Sequence, residues 1–128
     1  MTFLLDTHIL LWAAARDRMM SNRAEEIIRD EAATLCFSAA SIWEIAIKRG
    51  LDRPDFRADP AAMRAGLVAN GYQELLIDSR HAAAVLALPK LHSDPFDRIL
   101  IAQAQVEGLR LVTADSKVVA YGDWVEQV

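Results

Sequence analysis

Five carboxylates stand where carboxylates are costly. Asp94 and Asp97 lie three residues apart in HSDPFDRILIAQA, at the mouth of a long apolar run. Asp6 ends the apolar segment TFLL, Glu44 interrupts SIWEIAIKRG, and Asp115 follows LVTA. Carboxylates brought together repel one another by several kcal/mol unless protons or cations compensate. Hard divalent cations, held by one or two carboxylates together with water and phosphate oxygens, are the usual compensation. Such a centre lowers the pKa of water and stabilises the transition state of phosphodiester hydrolysis.

Each acid also has a plainer explanation. Asp94 before Pro95 reads as a helix N-cap, and Asp97 then sits in the first turn, where an acid favours the helix dipole by about 0.3–1 kcal/mol. Asp6 and Asp115 can cap the helices that follow them. Glu44 resists this treatment. Ile42, Trp43, Ile45, Ala46 and Ile47 surround it on nearly every side of its helix, so it is expected to be buried and to need a partner. An i,i+4 pair with Lys48 is the alternative, worth only about 0.3–0.5 kcal/mol.

The elements that must position these acids follow from pattern and punctuation. Thr2–Leu5 and Thr34–Ser38 are short apolar runs expected to be buried strands. Gln73–Ile77 and Leu109–Thr113 read likewise, and DWVEQV is a candidate edge strand. Helices are expected between them: from His8, from a Ser21 cap, over 38–50 closed by Gly50, after Asp59 and Pro60, over 78–88, and from Asp94 to a stop at Gly108. A short helix follows Asp115. Residues 51–59 read as a loop. Alternating strands and helices predict an α/β fold, a mostly parallel sheet covered on both faces. Sites in such sheets form beyond the carboxyl ends of the strands. Asp6, Glu44, Asp97 and Asp115 can all converge there.

Composition narrows the function. The 128 residues, 53% hydrophobic and 25% charged, predict one globular domain over residues 1–128. One cysteine, Cys36, excludes an internal disulfide and suits a reducing, cytoplasmic setting. Cys36 lies in an apolar stretch and reads as a core residue. The N-terminal run lacks a basic start and is broken by Asp6 and His8, so it reads as the first strand and helix rather than as a signal peptide. No run reaches the roughly 18 apolar residues of a membrane span. A net charge of −4 argues against a protein that holds nucleic acid mainly by phosphate contacts, but not against an enzyme with acids in one site and bases around it.

Together and in order, LLDTHILLW, SAASIWEIAIKRG, HSDPFDRILIAQA and LVTAD resemble the PIN-domain family, most closely the VapC ribonuclease toxins of bacterial type II toxin–antitoxin pairs. The resemblance covers essentially the whole chain. It implies a three-layer α/β/α sandwich and a Mg²⁺- or Mn²⁺-dependent endoribonuclease. On it, Asp6, Glu44, Asp97 and Asp115 are the catalytic and metal-binding acids. Asp6 and Asp97 would hold the ion directly, with Glu44 and Asp115 acting through water or on a second ion. Thr7 and Thr113 match hydroxyl positions beside those acids, and Asp94 matches a recurrent acid expected to cap and support. The resemblance further implies a homodimer and a cognate antitoxin laid along the groove, with Leu11, Trp12, Met19 and Met20 as a candidate apolar contact.

RNA must approach an acidic site, so nearby bases are candidate contacts: Lys48 and Arg98 first, then Arg16, Arg18 and Arg49. His8 is expected to pack at its helix start and His92 to sit in a loop. Two other readings stay open: a non-catalytic α/β binding module whose acids are all caps, and a PIN-like DNA nuclease. A haloacid-dehalogenase-type phosphatase wants a second aspartate where His8 stands, and a receiver domain wants paired acids near Asp6 that are absent.

Overall fold

The computed structural model describes residues 1–128. Five strands form one parallel sheet: β1 (Thr2–Leu5), β2 (Thr34–Ser38), β3 (Gln73–Leu75), β4 (Arg110–Thr113) and β5 (Val125–Gln127). Their spatial order is β3-β2-β1-β4-β5. The chain builds outward from β1 on one side, then returns to lay β4 and β5 on the other. The order therefore reverses between β1 and β4, the kind of switch point beyond which parallel sheets hold their sites.

Successive strand residues supply opposite cores, as the two-residue period of a strand requires. Leu4, Cys36 and Leu111 belong to one cluster, with Leu100, Ile101 and Ala104 of α6 (Pro95–Glu107). Phe3, Leu5, Phe37 and Val112 belong to the other. Ile9 and Leu10 of α1 (Thr7–Ala15), Ile27 of α2 (Asn22–Arg29) and Leu67 of α4 (Pro60–Ala69) complete that second cluster. Helix α3 (Ala39–Gly50) leaves the end of β2, α5 (Ser79–Ala84) continues as a 3-10 turn over Val85–Ala87, and α7 (Ser116–Val119) follows β4. No helix is long and apolar enough to cross a membrane.

Three expectations shift. Gly50 does not close α3 in a left-handed turn: it is still helical, Leu51 is the cap, and Asp52 takes the positive φ of 56°. β3 stops at Leu75 rather than Ile77, because its partner β2 ends at Ser38, opposite Leu75. Helix α3 is not buried all round: Trp43 and Ile47 are 62% and 41% exposed. Glu44 is nonetheless buried.

Candidate active site

Asp6 is the junction of strand and helix. Its backbone N–H still donates to Val112 O (3.0 Å), as the next rung of the sheet, while its carboxylate accepts from Ile9 N–H (2.9 Å) and caps α1. The residue is buried, and that desolvation pushes its pKa up to about 6 from 3.8. The Thr113 hydroxyl and the Ile9 N–H beside it pull the other way, and the charge of Asp97 adds to the rise.

Asp97 comes from the first turn of α6, whose N-cap is Asp94: Asp94 Oδ1 accepts from Phe96 N–H at 2.9 Å. Burial raises the Asp97 pKa, His92 lowers it, and the charges of Asp94 and Glu44 raise it further. His92 Nε2 lies 2.7 Å from Asp97 Oδ2. Glu44 is 5% exposed and holds Lys48 Nζ at 2.8 Å, so the predicted i,i+4 pair exists. A single half-exposed ammonium at its rim leaves Glu44 inside the same acidic set. Asp6, Glu44 and Asp97 thus share one electrostatic environment at the carboxyl edge of the sheet. Asp115 opens α7 beyond the end of β4. Its carboxylate caps α7 through Lys117 N–H (2.9 Å), and it is tied to the group by its own N–H, which donates to Thr113 Oγ1 at 3.1 Å.

A polar frame that sequence reading missed locks these elements together. Thr7 Oγ1 donates to Ser41 Oγ (2.9 Å), joining α1 to α3 across 34 residues. Ser38 Oγ donates to Gln103 Oε1 (2.6 Å), joining the β2–α3 turn to α6. Ser38, Ser41 and Gln103 are fully enclosed, so each bond is fixed by the cost of leaving its partner unpaired. Trp43 meets Phe96 edge to face with ring centroids 5.2 Å apart, setting α3 against the start of α6. The available signal was Gln103, an uncharged polar residue in the middle of an apolar helix.

The bases divide. Lys48 reaches the site. Arg98 serves the scaffold: Nη1 donates to Pro89 O (3.0 Å) and Tyr121 Oη (3.0 Å), and Nη2 to Val85 O (3.0 Å). Arg49 is tied to Arg57 O. His8 is exposed and lies against Trp12, the rings tilted with centroids 6.0 Å apart. Leu11 and Trp12 line an apolar groove of about 990 Å³ with Phe56, Met63, Leu67 and Tyr72, and the loop at 55–59 forms one wall. Met20 instead packs inward on the core and Met19 stands in solvent, so neither extends that groove.

A second acid–histidine group, Asp78, His81 and Glu107, is used up by folding. Asp78 N–H donates to His81 Nδ1 (3.0 Å), so Nε2 carries the proton toward Glu107 (2.9 Å) and the ring has no lone pair left for a cation.

Comparison with known proteins bears on the family and the fold. The family model for the PIN domain matches residues 3–123. Ribonuclease VapC22 of Mycobacterium tuberculosis is 32% identical over 117 residues, 91% of this chain and 88% of that protein. Among solved structures, VapBC2 of Rickettsia felis bound to a fragment of promoter DNA superposes with a TM-score of 0.72 at 16% identity, covering 99% of this chain and 98% of that one. A toxin–antitoxin complex of Klebsiella pneumoniae gives 0.65 at 20% identity, over 97% and 95%. VapC20 of M. tuberculosis, a toxin that cleaves the sarcin–ricin loop, gives 0.63 at 16% identity, over 94% and 95%. On a match that spans nearly every element and on its ribonuclease relative, the chain belongs to the PIN-domain family, among its VapC-type proteins.

Proposed function

We propose that this chain is the toxin of a type II toxin–antitoxin pair, a Mg²⁺- or Mn²⁺-dependent endoribonuclease held inactive by a cognate antitoxin. The observation that carries the reading is Asp6: a buried carboxylate, beside Asp97, with no lysine or arginine paired to it. Capping of α1 explains where Asp6 sits but not why its charge is tolerated at neutral pH. A hard cation does explain it, and the all-oxygen donor set of Asp6, Asp97 and, further out, Glu44 and Asp115 suits one. Asp6 and Asp97 would hold the ion directly. When bound, it supplies Lewis-acid stabilisation of charge on the phosphate and a more acidic water for in-line attack.

The chain's own residues supply the rest. Burial of Asp6 and Glu44 keeps bulk water away from the charges and so strengthens their pull on the cation. The Ile9 N–H fixes the Asp6 carboxylate, and His92 fixes Asp97 in one orientation. The VapC22 and VapC20 likenesses support RNA as the substrate, and the solved VapBC complexes support an antitoxin partner. Exposed Trp43 and Ile47 on α3 and Leu51 at its C-cap, spaced four residues apart, support a homodimer contact there, which sedimentation of Ile47→Glu against the parent chain reads out. The cytoplasm is the setting that RNA substrate and a lone buried cysteine favour.

The test is cleavage of an end-labelled pool of tRNA and structured RNA with Mg²⁺, Mn²⁺ or EDTA, beside Asp6→Asn. Metal-dependent cuts that vanish in the variant are expected. Cuts that persist in EDTA or in the variant would sink the assignment. A melting temperature indifferent to Mn²⁺, with no cleavage, would favour a binding module.

A further inference from the structure

Next to the acids the surface changes sign. A cleft of about 610 Å³ is lined by Lys90, Leu91, His92, Ser93, Arg98 and Lys117, and Leu91 is its one apolar member. The chain has three lysines in all. Two of them line this cleft, and the third, Lys48, is the one on Glu44. Lys90 and Lys117 are exposed, and neither forms an ion pair, whereas Arg23, Arg29, Arg64, Arg80 and Arg110 all rest on carboxylates. Arg16, Arg18, Arg49, Arg53, Arg57 and Arg98 also lack a carboxylate partner, so what sets Lys90 and Lys117 apart is that both face one cleft, beside Arg98.

Position makes the gathering meaningful. The cleft shares a wall with the acidic site, because His92 both lines it and reaches Asp97 Oδ2 at 2.7 Å. Lys117 reaches the cleft from α7, two residues past Asp115. Arg98 holds the loop that carries Lys90 and His92 through its bonds to Pro89 O and His92 O, so the cleft floor is braced without ligand. A polyanion with one phosphate at Asp97 must run its neighbouring phosphates somewhere, and toward Glu44 and Asp6 the surface is acidic. Toward Lys90 and Lys117 it is basic.

We propose that this cleft is a phosphate subsite for the RNA strand beside the scissile bond, with Lys90 and Lys117 as its cations and the Ser93 hydroxyl as a neutral donor. The proposal rests on the endoribonuclease reading above. It uses no metal, so it can be read from binding in EDTA. Each lysine at a single-stranded phosphate contributes about 0.7 to the slope of log affinity against log salt. The double variant Lys90→Ala/Lys117→Ala should therefore lose about 1.4 from that slope, a roughly 25-fold weaker affinity at 0.1 M salt relative to 1 M.

The measurement is fluorescence anisotropy of a labelled RNA hairpin titrated with full-length protein in EDTA over a salt series, with Mn²⁺-dependent cleavage recorded on the same preparations. The parent chain, the double Ala variant, a Lys90→Arg/Lys117→Arg variant and Arg53→Ala as a surface control are compared. The expected result is loss of slope and affinity in the Ala variant alone, with Arg restoring both because the contact is to charge. If the Ala variant binds with the parent's slope while the parent cuts RNA in Mn²⁺, the subsite is wrong and the nuclease reading stands. If the parent neither binds nor cuts, both fall together. If Arg53→Ala loses as much as the Ala pair, the attraction is diffuse and the subsite is again wrong.

Discussion

Asp6 is placed by one requirement and strained by another. As an N-cap its carboxylate satisfies the Ile9 N–H, a contribution of about 1 kcal/mol. As a buried anion it opposes folding. Its pKa rises from 3.8 to about 6 chiefly by desolvation, a shift worth about 3 kcal/mol. The sign follows from proton counting. Between about pH 4 and 6 the folded chain keeps a proton on Asp6 that the unfolded chain has released, so this group's stabilising share is largest in acid and is lost as pH rises through that window. Asn caps as well as Asp but carries no charge. Metal-free Asp6→Asn should therefore melt several degrees above the parent at pH 7 and little above it at pH 4, while losing all metal-dependent cleavage. A parent chain whose melting temperature in EDTA does not fall from pH 4 to 7 relative to the variant would refute the burial argument. Mn²⁺ should raise the parent's melting temperature more at pH 7 than at pH 5, because proton and metal compete for the same carboxylate.

At the scale of elements, most positions were legible because local chemistry and global fold agree. Asp94–Pro95 and Asp59–Pro60 announce helix starts, Gly108 a helix end, and the alternation of short apolar runs with helices a parallel sheet. The burial of Glu44 was legible for the same reason: an acid near Ile42 and Ile45 in an apolar helix is drawn inward with them. What could not be read was pairing across the chain. Nothing local ties Thr7 to Ser41 or Ser38 to Gln103, because those bonds exist only once α1, α3 and α6 have packed. Arg98 shows the opposite failure. Adjacency to Asp97 suggests a substrate contact, but successive helix residues point about 100° apart, and Arg98 turns to the carbonyls of the loop before α6. Arg98→Lys keeps the charge and cannot match that fork of donors. It should cost about 1–3 kcal/mol in urea unfolding and lower the cleavage rate through a loosened Asp97, and any loss of RNA affinity in EDTA should come only together with that loss of stability, as the cleft floor loosens. An affinity loss without a stability loss would return Arg98 to the substrate.

On the reading proposed above, the whole molecule would set catalysis and its control along one helix. Helix α1 begins beside Asp6 and ends in the apolar groove, where Leu11, Trp12 and Ala14 face Phe56, Met63 and Tyr72. From Ala14 back to Thr7 is seven residues, about 10 Å of helix. An extended segment covers that distance in about three residues. A partner helix seated in the groove therefore needs only a short tail to reach the acids, and a basic tail would meet Asp6, Glu44 and Asp97, which lack cations of matching number. Groove and acids can then be separated by mutation. Ala14 is exposed, lines the groove and touches none of the acids, so Ala14→Arg should leave the fold and RNA cleavage intact while blocking the partner sterically. In co-expression with its antitoxin, the parent chain should be neutralised and the variant should still arrest growth. Purified variant should bind the antitoxin at least 30-fold more weakly, about 2 kcal/mol. If the variant is bound and neutralised as the parent is, the antitoxin does not use this groove, and inhibition must come from contacts at the acids alone.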